Sequence, residues 1–304
     1  MAGCTPHAAA PQKHDVAGGE AVPMQETLAP GVVHRAIPTS DGAGIDLIDV
    51  DLVRSKARPA IVARDVQLSE GSVVAQVYTP GEWLTKTQAL AAINGGYFGR
   101  EAGEGDKEIV GLLVQKGRVR HAAPPLYGQG GANAPRGFYR RSAFGLLPGG
   151  MPSIAWAATD PEIPQSLRAY ASPLVFRDHR GHRWPVHAAV GCGPMLIFNG
   201  AIAVSDRQER LVSPGTRART FVAYDNPGGA PRHFVLGIAS GMTFQDLAEF
   251  LRGYFPKYGR TQACNAMCLD GGESTQMTYR QGKTLQTPRE TGVSVPDAVV
   301  LLPR

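Results

Sequence analysis

The stretch Ala266-Met267-Cys268-Leu269-Asp270-Gly271-Gly272-Glu273-Ser274-Thr275 puts a carboxylate, paired glycines and two hydroxyls at the end of an apolar run. Read as a buried strand delivering a polar loop, it fixes Asp270 on a rigid element, while Gly271 and Gly272 let a ligand approach the backbone. Such a loop suits an anionic or hydroxylated ligand. The same letters also spell an ordinary turn, since Asp and Gly are turn residues in their own right. A second corner of this kind lies upstream, where Ala91-Ala92-Ile93 runs into Asn94-Gly95-Gly96-Tyr97-Phe98. Two such corners in one chain need more than chance turn usage.

The elements that must position these corners follow from periodicity. Strands are expected at Ile45–Val50, Ala60–Ala63, Ser72–Val77, Ser142–Leu147 and Pro152–Ala157. Hairpins are expected over Lys116-Gly117, Asn199-Gly200, Asn226-Pro227-Gly228-Gly229 and Gln281-Gly282, and a closing strand at Ala298–Leu302. Thr79-Pro80-Gly81-Glu82 opens a helix running to about Leu90, with a Thr cap, Pro at the first helical position and Glu three residues on. A second helix, capped by Thr243, sets Phe244, Leu247, Ala248, Leu251 and Phe255 on one face as far as Pro256. That stripe is core and not a cofactor box. Residues 99–108 and 122–137 are expected as loops, the first long enough for a rim or lid. The fold class is α+β: strand-rich mixed sheets with a few packed helices in a single compact domain over 29–304, preceded by a tether over 1–28.

At 304 residues and 43% hydrophobic, the chain can bury a large core. Its net charge of +5 comes from 24 Arg against 7 Lys, and arginine suits bidentate contact with phosphate or carboxylate. No long basic run with interleaved aromatics occurs, which argues against nucleic acid and leaves an anionic glycan or a sugar phosphate as the partner. No window approaches the roughly 18 apolar residues of a spanning helix. Met1-Ala2-Gly3-Cys4 resembles the end of a bacterial lipobox, so Cys4 is a candidate lipidation site on an exported protein. The competing reading is a lone cysteine in a disordered cytosolic tail. Cys264 and Cys268 would stand about 13 Å apart on one strand, too far for a disulfide, and pair only if the segment before Met267 loops back. His179, His182 and His187 read as loop and strand histidines. No metal-ligand set or cofactor motif is assigned, and a divalent metal requirement stays open.

Taken together, Asn94-Gly95-Gly96-Tyr97-Phe98, Gly193-Pro194-Met195-Leu196, Arg219-Thr220 and Leu269-Asp270-Gly271-Gly272-Glu273-Ser274-Thr275 resemble, in order and rough spacing, the phosphodiester glycosidase family. That family includes a lysosomal enzyme which removes N-acetylglucosamine from a sugar phosphodiester, and many secreted bacterial relatives. The resemblance spans about residues 45–303, and the amphipathic helix before Asp270 fits it. Two positions depart from the pattern: Glu273 stands where a small residue is usual, and so does Cys192.

The resemblance implies hydrolysis of a sugar–phosphate bond at the anomeric carbon. An oxocarbenium-like transition state needs a carboxylate, the role given to Asp270. A departing phosphate monoester leaves as an anion, so a cation can replace the general acid, and Arg219 beside Thr220 is expected to grip the phosphate. Asn94 would bind a sugar hydroxyl, with Tyr97 beside it. Gly95, Gly96, Gly271 and Gly272 would offer amide N–H groups, and Ser274 and Thr275 would cap the loop or touch phosphate. Each has a plainer alternative: Asn94 closing a strand-to-turn hydrogen bond, Arg219 paired with Asp270, Glu273 facing solvent. Two further functions stay open, a carbohydrate-binding envelope protein without catalysis and a glycosidase on non-phosphorylated polymer with Glu273 as acid.

Overall fold

A computed structural model describes residues 23–39, 44–101, 105–123, 126–127, 137–160, 163, 165–176, 181–211 and 215–303. Cys4, His179 and most of the loop expected over 122–137 lie outside the described residues. Among those described, the chain is mostly β. It has two α-helices, and every strand pairing is antiparallel, so the expected mixed sheets give way to antiparallel ones and α+β fits only loosely.

One eight-stranded sheet takes the order Met24–Ala29, Val32–Pro38, Gly44–Asp51, His233–Met242, Arg217–Asp225, Ala263–Cys268, Met195–Phe198, Ala201–Ile202. The first of these strands begins inside the segment expected to be tether; its backbone pairs Met24 to Ala36 and Gln25 to Arg35. A second eight-stranded sheet sets Ala91–Asn94 between Met277–Gln281 and Asp297–Leu302, and continues through Arg58–Ser69 and Ser72–Gln76. The expected rim loop over 99–108 is instead largely a strand pair, Phe98–Glu101 on Asp106–Ile109, at that sheet's far edge. A seven-stranded sheet contains Leu113–Gln115, Ala188–Gly191, Arg141–Leu146 and Pro152–Thr159.

Apolar side chains from these three sheets meet in one core, among them Ile48, Val222 and Met267 of the first, Ile93 and Val299 of the second, and Phe144 and Trp156 of the third, while a fourth, three-stranded sheet stands apart in the strand order. The helices cover outer faces. Helix α1 (Pro80–Thr87) lays Trp83 and Leu84 on Ala92, Ala298 and Val300, and α2 (Phe244–Lys257) lays Leu247, Leu251 and Phe255 on Leu47, Phe221 and Ala266. Both start with a reciprocal cap, which satisfies otherwise orphaned amides of the first turn: Thr79 with Glu82, as expected, and the expected cap Thr243 with Asp246 as its partner. The hairpin at Asn199-Gly200 has φ of 49° and 81°, the left-handed pair a two-residue turn of that type requires.

Candidate functional site

The two glycine corners meet. Strand Ala263–Cys268, flanked by Arg217–Asp225 and Met195–Phe198, ends by delivering Leu269-Asp270; strand Ala91–Asn94 of the other sheet ends by delivering Gly95, Gly96 and Tyr97. The Asp270 amide donates to the Gly95 carbonyl at 3.0 Å, and the Asn94 side-chain amide donates to the Asp270 carbonyl at 2.8 Å. A cleft of about 440 Å³ opens there, walled by Asp270, Gly271, Gly272, Tyr97, Gly193 and the three arginines Arg141, Arg217 and Arg219.

Asp270 is the one carboxylate on that wall among the described residues. Burial pushes its carboxyl up to about 6, against the Ser274 side chain and the Gly271 amide, which hold it down; the Gly271 N–H donates to Asp270 Oδ1 at 2.9 Å. At neutral pH the group is therefore mainly ionised, yet basic enough to accept a proton.

Arg219 is 3% exposed and its guanidinium stacks on the ring of Phe244, the first residue of α2, at 3.8 Å. Its Nε donates to the Met242 carbonyl and an Nη to the Gly215 carbonyl, both at 3.1 Å. That edge of the fork is thus spent on protein, not held open for the two-pronged phosphate contact expected of it. The alternative of an Arg219–Asp270 ion pair also fails, since Asp270 has no such pair among the described residues. Burial lowers the Arg219 pKa, with Arg217 nearby adding to the effect.

Several expected ligand groups turn inward instead. Asn94 is fully buried: its Oδ1 accepts from the Thr220 hydroxyl at 2.7 Å and the Gln276 amide at 3.2 Å, so it joins the corners and does not wall the cleft. Gly95 and Gly96 spend their amides on the Asp297 carbonyl and carboxylate, at 3.1 and 2.7 Å, and the Gly271 amide is taken by Asp270. A Cβ on Gly95 would overlap the Asp297 carboxylate, so glycine is required there for packing. Thr220, Ser274 and Thr275 are buried. Glu273 is exposed and off the cleft, its carbonyl accepting from the Thr291 hydroxyl at 2.7 Å. The second carboxylate inferred from its position is not brought to Asp270.

Asp297 is the carboxylate that sequence reasoning missed. It is 1% exposed beneath the Gly95-Gly96 turn, and burial, opposed by the Gly96 amide and reinforced by the charge of Asp270, pushes it up to about 7. Arg141 and Arg217 were missed as well; Arg217 stands two residues before Arg219, a spacing that on a strand points both to one face.

Glu209, also unanticipated, lies fully buried behind Gly193. It accepts from the Ser142 amide and hydroxyl at 2.8 and 2.6 Å, Trp156 Nε1 at 2.9 Å, the Met195 amide at 3.0 Å and the Ser205 hydroxyl. Burial raises its pKa against those bonds. Gly193 has φ of 145° and a Cβ on it would overlap the Glu209 carboxylate, so only glycine fits. The Gly193 carbonyl in turn accepts from the Tyr97 hydroxyl at 2.7 Å, and burial, then Cys192 and Asp270, raise the Tyr97 pKa so that the phenol stays neutral. Cys192, Cys264 and Cys268 are free thiols; the last two share strand Ala263–Cys268, as the unpaired reading required.

Residues 87–302 match the family model described as phosphodiester glycosidase. No curated protein matches the sequence. The fold is similar to the crystal structure of a hypothetical protein from Synechocystis, at 16% identity and a TM-score of 0.52, with 90% of this chain and 62% of that one covered. It is also similar to a "Putative exported protein" from Burkholderia pseudomallei K96243, at 14% identity and a TM-score of 0.53, with 89% and 76% covered. The chain thus spans less than two thirds of the Synechocystis chain, and these likenesses concern the fold alone.

Proposed function

Because the chain belongs to the phosphodiester glycosidase family, we propose that it hydrolyses the bond between an anomeric carbon and a phosphodiester oxygen, acting on sugar-1-phosphodiesters of envelope or extracellular glycans. The observation that carries this reading is the pairing, in one cleft, of a carboxylate of raised basicity, Asp270, with Arg141, Arg217 and Arg219.

Asp270 works on the sugar side. As base, it takes the proton of the attacking water; as nucleophile, it bonds the anomeric carbon before water releases it, and product stereochemistry separates the two routes. In either route the carbon–oxygen bond breaks with its electron pair going to the phosphate, and the products are a free sugar and a phosphate monoester. The arginines meet the negative charge that grows on that leaving group, stabilising the transition state more than the bound substrate. No carboxylic acid is needed to protonate so weak a base, which agrees with Asp270 being the one carboxylate among the described residues of the cleft wall. Glu273 lies off the cleft, and this counts against a glycosidase that protonates a poor leaving group.

Export is part of the proposal. The description of the Burkholderia neighbour supports it, as does the small-residue run before Cys4. A panel of glycosyl-1-phosphodiesters, assayed with and without chelator, tests the activity; a carbohydrate that binds in the cleft while every diester stays intact would establish the non-catalytic alternative. Intact-mass measurement of the membrane fraction tests diacylglycerol on Cys4.

A further inference from the structure

Beside the cleft lies a second cavity of about 670 Å³, and Val110 and Arg141 belong to the walls of both. Its other walls are largely hydrocarbon: Val73, Leu112, Ala122, Ala143 and Ala157. The polar residues around it are engaged by the protein itself. The Ser142 hydroxyl donates to Glu209 at 2.6 Å, His121 Nδ1 bonds the Gly111 carbonyl at 2.7 Å, and an Arg120 Nη donates to the Val66 carbonyl at 2.7 Å. What the described walls offer a ligand is therefore mainly apolar contact, with the Arg120 guanidinium on one side and that of Arg141 at the boundary with the cleft.

We propose that this cavity is the aglycone subsite, and that the preferred substrate is a glycosyl-1-phosphodiester whose second ester carries an aliphatic or prenyl chain. The proposal rests on the phosphodiester reading for its orientation. A phosphodiester has two ester oxygens. With the sugar at Asp270 and the phosphate charge at Arg141, the second ester oxygen points away from Asp270, toward the only neighbouring space that shares Arg141 among the described cavities. A polar sugar there would give up its water for hydrocarbon walls without replacing the lost hydrogen bonds, whereas a hydrocarbon chain gains by leaving water.

The experiment uses the alkyl phosphates that such a reaction would release. Binding of ethyl, butyl, hexyl and octyl phosphate, each below its self-association concentration, is measured by calorimetry on the whole protein, on Ala122→Phe, which narrows the cavity, and on Arg219→Ala. Burying the six further methylenes should tighten binding on the order of 10³-fold between ethyl and octyl phosphate when all six are covered. In Ala122→Phe that ratio should fall to a few-fold, and because it is a ratio within one variant, any general loss of affinity cancels. In Arg219→Ala all four should weaken together with the ratio kept. Affinity independent of chain length in the wild type overturns the subsite, as does a chain-length ratio that survives in Ala122→Phe. Hydrolysis of the matching ethyl and octyl glycosyl diesters separates the two claims: chain-dependent binding without cleavage of either diester refutes the hydrolase and leaves the subsite standing, while cleavage at chain-independent rates and affinities does the reverse.

Discussion

Asp270 and Asp297 are tied through one glycine: the Asp270 amide donates to the Gly95 carbonyl at 3.0 Å, and the Gly95 amide donates to the Asp297 carbonyl at 3.1 Å. Burial raises both carboxyls above the usual carboxylate range. Asp270 titrates first, at about 6, and its charge helps hold Asp297 protonated up to about 7. Between about pH 6 and about pH 7 the pair therefore presents mainly an anion to the cleft and a neutral acid beneath it.

That order predicts the pH profile. kcat/KM should rise through an acid limb near pH 6 as Asp270 ionises. Asp297→Asn, an analogue of the neutral acid that still accepts from the Gly96 amide, should keep that limb. Asp270→Asn should lower kcat by about 10³-fold or more, while Glu273→Gln, at an exposed position, should change it by no more than about threefold. A larger loss at Glu273 than at Asp270 would reverse the assignment.

Asp297 also leaves a mark on stability. Its folded pKa lies above the usual carboxylate value, so between about pH 4 and about pH 7 the folded state binds the extra proton, and the group's contribution becomes less favourable as pH rises. Urea unfolding should show Asp297→Asn gaining on the wild type at pH 8 relative to pH 5. A constant difference at the two pH values would mean that Asp297 is ionised throughout.

Arg219→Lys keeps the charge but cannot at once reach the Met242 and Gly215 carbonyls and stack on Phe244. We expect a loss of about 10- to 100-fold in kcat on a phosphodiester, with Arg219→Ala worse. On an aryl glycoside of similar reactivity, which carries no phosphate, the wild type should be slow and the alanine penalty small. Equal losses on both substrates with unchanged thermal unfolding would assign Arg219 to the sugar side.

Asn94→Ala removes the side chain that binds the Asp270 carbonyl, the Thr220 hydroxyl and the Gln276 amide. Leaving buried polar groups unpaired costs about 1–3 kcal/mol each, so unfolding should shift by several-fold more than for an average surface change. Because Asn94 is off the cleft, substrate affinity in the surviving folded fraction should move less than kcat, which depends on where Asp270 is held.

Much of this was legible from local pattern. The corners at Asn94 and Asp270 announce themselves because each ends an apolar run with a polar residue and paired glycines, and both helices carry their caps in sequence. What those glycines do was not legible: Gly95 and Gly96 amides serve Asp297, some 200 residues away, as the separation of 201 for the Gly96 contact records. Asp297 itself opens an ordinary apolar strand in Ser294-Val295-Pro296-Asp297-Ala298, with no motif to mark it. Arg141 and Arg217 were hidden among 24 arginines, since charge says nothing of which ones share a cleft. Glu273 misled for the opposite reason: proximity in sequence to Asp270 does not carry a side chain around a turn.

The contacts that join the corners span 126, 176 and 201 residues of chain, for Thr220 with Asn94, Asn94 with Asp270, and Gly96 with Asp297. Closing such loops costs chain entropy before any contact repays it. The strand Asp297–Leu302 moreover inserts between Ala91–Asn94 and Arg58–Ser69 rather than adding at an edge. Assembly of the cleft is therefore expected late on the folding path. A partly folded chain would hold neither the carboxylate nor the arginines in register, and the protein should acquire its chemistry together with its last cooperative step, not before.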